Sequence, residues 1–86
     1  MALYGEDFAK ILSNLLDKHG ITCYKLAQYS HLDQGFLSRL RSGELKNPSP
    51  ETVVKISVSL AHWSADITIW DIENLFNACG RSLKKH

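Results

Sequence analysis

Among these 86 residues, the side chains best equipped for chemistry are hydrogen-bonding and cationic ones. Gln34, Ser38 and Arg39 bring an amide, a hydroxyl and a guanidinium within six positions, and Lys18, Lys25, Arg41 and Lys46 place further cations on either side. Such groups attract and orient anions and polar edges. Residues 18–48 hold these five cations against Asp33 and Glu44, a net of +3, whereas residues 49–80 hold Lys55 against Glu51, Asp66, Asp71 and Glu73, a net of −3. The whole chain carries only +1, so the polarisation is internal. It is the footprint that a phosphate partner requires, although an ordinary solvated surface accounts for the charge alone equally well.

Catalytic chemistry has less to build on. No set of His, Cys and carboxylates is clustered, no Gly-Lys-Ser phosphate loop is present, and a chain this short leaves little volume for a pocket. An enzyme therefore ranks last, and no cofactor, metal or small-molecule ligand is implied. His31 reads as a turn residue and His62 as a surface or satisfied histidine. Cys79 falls at an apolar spacing and reads as core, while Cys23, near a helix start, reads as a reduced thiol with redox activity only as a minor alternative.

The elements that must position these residues follow from periodicity. Phe8, Ile11, Leu12, Leu15 and Leu16 form the stripe of an amphipathic helix over 6–18, with Glu6 and Asp7 at its start and Gly20 at its exit. Thr22 caps a helix over 23–29, Ser30, His31 and Leu32 turn, and Asp33 caps a second helix over 34–42 that ends at Gly43. Leu26, Ala27, Leu32, Leu37 and Leu40 supply the inward faces of this pair, leaving Gln34, Gly35, Ser38 and Arg39 on the outward one, with Phe36 at its margin. Ser49 and Pro50 start a fourth helix over 50–62, lined by Val53, Val54, Ile56, Leu60 and Ala61. Thr68 to Asp71 form a capping box for a last helix with Ile69, Ile72, Phe76 and Cys79 inward. Trp63, Trp70 and Tyr4 read as core, and residues 81–86 as a frayed tail.

Eighty-six residues, 44% hydrophobic and 22% charged with seven Gly plus Pro, suit one helical domain over 1–86. Two distant cysteines make no disulfide framework. The first residues lack a signal-peptide pattern and no apolar run approaches ~18 residues, which predicts a cytoplasmic protein with no membrane partner.

The ordered set Ile21-Thr22, Leu26-Ala27, Leu32-Asp33-Gln34, Leu37-Ser38-Arg39-Leu40, Gly43 and Asn47-Pro48-Ser49, backed by Val53, Ile56 and Leu60, resembles the phage-repressor, Cro-like or XRE type of helix-turn-helix domain. The resemblance implies an all-α, compact bundle of about five helices, lambda-repressor-like, with its motif over 22–43 and its third helix in the major groove of double-stranded DNA. Carried over by position, it makes Gln34, Ser38 and Arg39 base-contacting. Thr22, Cys23, Lys25, Lys46 and Asn47 become phosphate-contacting, and an outward Arg41 joins them. Gln on adenine and Arg on guanine are chemically apt pairings.

The sequence also departs from that pattern. Cys23 stands where Gln is common, Gly35 offers no side chain, and His31 replaces a turn glycine and must take a left-handed or bridge conformation. An Arg near the end of the first helix often pairs with a Glu late in the third; here Leu16 and Arg41 occupy those places, so the brace is expected to be missing. The function implied is a sequence-specific transcriptional regulator, most simply a repressor. A homodimer through the last helix, around Trp70 and Leu75, would place two reading helices one DNA turn apart. The competing reading is a protein-interaction module or antitoxin-like subunit of the same fold that uses its C-terminal helix.

Overall fold

A computed structural model describes residues 8–45 and 48–78. It contains five helices and, among the described residues, no strand: α1 (Phe8–His19), α2 (Cys23–Ser30), α3 (Gln34–Ser42), α4 (Pro50–Trp63) and α5 (Ile69–Ala78). The all-α expectation holds, and the third and fourth helices begin where their capping residues place them. The expected contributions of Tyr4, Glu6, Asp7, Lys46, Asn47, Cys79 and the 81–86 tail lie outside the described residues.

Short-range chemistry sets the helix boundaries. Thr22 Oγ1 accepts from the Lys25 amide at 3.1 Å, Asp33 Oδ2 from the Phe36 amide at 3.0 Å, and Ser49 Oγ from the Thr52 amide at 3.2 Å. Each satisfies one amide that a helix start leaves without an intrahelical acceptor. The Thr68–Asp71 box closes in both directions, with the Thr68 amide on Asp71 Oδ2 at 3.0 Å and the Asp71 amide on Thr68 Oγ1 at 3.2 Å. At the other ends the chain turns through positive φ: Gly20 at 65°, His31 at 64° and Gly43 at 90°. His31 closes α2 in the left-handed region, its amide donating to the Ala27 carbonyl at 2.9 Å. Ser30, the last residue of α2, is buried and accepts the Leu32 amide, which tightens the turn into α3.

Packing joins α1 to α3 and α5, α2 to α3 and α4, and α4 to α5. Phe8, Leu12, Leu15 and Leu16 of α1, Leu26 of α2, Leu37 and Leu40 of α3, Val53, Ile56 and Leu60 of α4, and Leu75 and Phe76 of α5 converge in one core. Ala27 and Leu32 pack against it as expected, at its edge.

Several expectations about the core and its margin are corrected. Val54 and Ala61 do not line it; both are exposed, while Ser57 and Ser59 are buried in their place. The inward phase of α4 is set by Val53, Ile56 and Leu60, which turns residues 54, 58 and 61 outward. Ile69 lies 64% exposed and Trp70 70% exposed, because the first turn of α5 extends past the core edge before Ile72 and Leu75 reach it. Leu75 is fully buried, so it contributes nothing to an outer face of α5. Trp63 is at the surface too, with partners described below.

Candidate nucleic-acid interface

Helix α3 buries Leu37 and Leu40 completely and anchors Phe36 at half-burial. With about 100° per residue, fixing those positions inward leaves Gln34, Ser38, Ser42, Gly35 and Arg39 on one continuous arc of about 140°. All five are exposed. The three residues named for base contact therefore share a single outward surface, with Gln34 and Ser38 one turn apart and Arg39 on its flank beside Gly35. An amide, a hydroxyl and a guanidinium on an arc of this width can address base edges along a major groove.

Gly35 has a local reason to be small. A Cβ there would stand 3.0 Å from Asp33 Oδ2, the oxygen that caps the helix. A side chain at that place would press on the cap, so the gap on the outward arc protects the helix start.

The N-terminus of α2 leaves backbone amides open. Thr22 takes the Lys25 amide, and the Leu26 amide begins the intrahelical ladder on the Thr22 carbonyl at 3.0 Å. Helix geometry leaves the Cys23 and Tyr24 amides without an intrahelical acceptor, at the positive end of the dipole. The Cys23 side chain is half-buried and packs on the core. Its backbone amide, more than its thiol, is what Cys23 can offer a phosphate.

Lys25 is exposed, and its ammonium lies 5.5 Å from the centre of the Trp63 ring. The same indole donates to the Lys25 carbonyl at 2.8 Å. Reading Trp63 as core missed this contact. Its partner is 38 positions away, and periodicity describes only the face a residue occupies within its own helix.

Arg41 departs from expectation. It does not turn fully outward: its guanidinium pairs with Asp17 near the end of α1, its side chain 31% exposed and that of Asp17 69% exposed. Ser13 Oγ donates to the Arg41 carbonyl at 3.2 Å, a second link between the same helices. The brace expected to be missing is present with its charges exchanged, acid on α1 and cation on α3. An acid one position beyond Leu16 was the signal available in the sequence.

These features place an exposed polar arc on the second helix of a packed helical pair whose first helix has a capped, outward-facing start. A family model for the Cro/C1-type HTH DNA-binding domain matches residues 11–71, well over half of the chain. The chain belongs to the Cro/C1-type helix-turn-helix family. Neither a curated protein nor a solved structure gives a match. The matched region runs from the end of the first turn of α1 into the first turn of α5, so it contains the exposed arc of α3, the α2 start and the Asp17–Arg41 brace of this Cro/C1-type domain. Among its described residues, no helix is long and apolar enough to cross a membrane.

Proposed function

We propose that this Cro/C1-type domain is a sequence-specific transcriptional regulator that represses by occupying a promoter, with α3 in the major groove of double-stranded DNA. Gln34, Ser38 and Arg39 read base edges. The Thr22 and Cys23 region at the start of α2, with Lys25, Lys46 and Asn47, sets the register on phosphates. Arg41 contributes charge to the same side, limited by its engagement with Asp17. The observation that carries this reading is the continuous exposed arc of α3, held outward by Leu37 and Leu40.

Selection of bound duplexes from a random pool, followed by mobility-shift titration, tests it. Arg39→Ala and Gln34→Ala should each weaken binding to the selected sequence by about ten- to a hundredfold and relax preference at one position, as loss of a bidentate base contact does. If the double variant keeps the wild-type preference, the assignment of the reading residues is wrong.

Exposed Ile69 and Trp70 favour a second copy of the chain at the start of α5. A two-fold pair there presents two reading helices to a palindromic site. The same apolar pair also favours the alternative, an interaction module or antitoxin-like subunit. Purification with a stoichiometric partner and without DNA affinity at low salt would decide for that alternative.

A further inference from the structure

Helix α2 is eight residues long and fully buries only Leu26 and Ser30. Cys23 and Ala27 add partly buried contacts, and the helix packs on both α3 and α4, but apolar packing is non-directional and leaves the posture of its first turn to hydrogen bonds. Those hydrogen bonds come from the C-terminal end of α4. Ser59 and Trp63 stand one turn apart on that helix and donate side-chain hydrogen bonds to consecutive carbonyls of α2: Ser59 Oγ to Leu26 at 3.1 Å and Trp63 Nε1 to Lys25 at 2.8 Å. The indole face also lies beneath the Lys25 ammonium. His62 meets Trp63 edge-on at 4.9 Å and stacks on Tyr29 at 3.9 Å, so the same turn of α4 also touches the far end of α2.

We propose that Trp63 is a positioning residue for DNA docking, holding the first turn of α2 and the Lys25 ammonium in the posture in which that charge meets a phosphate. The inference rests on the DNA-binding reading above. An exposed lysine ordinarily gives up rotamer freedom when it binds. Against the Trp63 ring, part of that ordering is done beforehand, and the indole N–H keeps the backbone of the same residue in place.

Salt dependence separates positioning from mere support, because each phosphate neutralised contributes about 0.9 to the slope of log K against log salt. The probe is a random-sequence duplex, titrated at several salt concentrations. The protein carries Trp70→Phe, which leaves Trp63 as the sole tryptophan of the two in the chain. Lys25→Gln should lower the slope by about one contact, Trp63→Leu by the same amount, and the double variant by no more than either. Trp63→Phe keeps a ring face without the N–H donor; it should retain the slope and bind about fivefold more weakly at fixed salt. Trp63 emission should change on addition of duplex when Lys25 is present and stay constant in Lys25→Gln.

Circular-dichroism melts check that each variant is folded. If Trp63→Leu is not, the Trp63→Phe titration and the emission change decide. A wild-type slope in Trp63→Leu overturns the inference, and so does a steeper one, which would mean that the ring withholds the ammonium. Failure of the parent protein to bind duplex at low salt overturns the DNA-binding reading and this inference together. Normal binding with unaltered Trp63 variants overturns this inference alone.

Discussion

His31 occupies a left-handed conformation, φ 64°, at the turn between α2 and α3. A Cβ makes that region costly, by roughly 1–2 kcal/mol, whereas glycine enters it readily. His31→Gly should therefore raise stability, by about 0.5–1 kcal/mol once the extra freedom of glycine in the unfolded chain is set against the relief; urea unfolding measures it. The capping residues act in the opposite direction. Thr22→Ala and Asp33→Ala should each lower stability by about 1 kcal/mol in the same measurement. Asp33→Ala should also weaken DNA binding, since it frays the helix start that carries Gln34. These caps were legible in the sequence because both partners sit within three positions. The contact of Trp63 with Lys25 was not, because folding brings together two helices whose separation in the chain carries no periodic signal.

Between elements, the Asp17–Arg41 pair supplements the buried leucines that hold α3 on α1. Both side chains keep substantial exposure, so solvent screening limits the pair to about 0.2–1 kcal/mol. A double-mutant cycle with Asp17→Asn and Arg41→Gln should return a coupling in that range, decreasing as salt rises. Recovery of stability on exchanging the two residues, Asp17→Arg with Arg41→Asp, would show that the contact requires opposite charges in either order. The order of the helices was readable because every one of them carries its own start or stop chemistry. Their rotational phase was less so. In α4 an apolar residue stands at almost every second or third position, and several faces compete; the two buried serines, Ser57 and Ser59, show the inward side and are the residues a hydrophobic pattern overlooks. The outward polar arc of α3 was legible for the converse reason, since Leu37 and Leu40 leave one polar side.

At the scale of the whole molecule, a single core served by all five helices means that damage in one place reaches the interface. Leu40 is 1% exposed. Leu40→Ala should cost about 2–5 kcal/mol, a large part of what a domain of this size possesses, and should abolish DNA binding by unfolding, which a thermal melt distinguishes from a lost contact. Exposed Ile69 and Trp70 at the opposite extreme should tolerate Trp70→Ser with little change in monomer stability. If α5 joins two copies, that substitution should shift sedimentation toward the monomer and weaken binding to a palindromic site while leaving a half-site unaffected. The exchanged polarity of the Asp17–Arg41 brace also bears on modularity. Because the acid of that brace sits on α1, a graft of α3 alone into a chain without an acid at the place of Asp17 leaves Arg41 unpaired, so α3 and the last turn of α1 form one transferable unit.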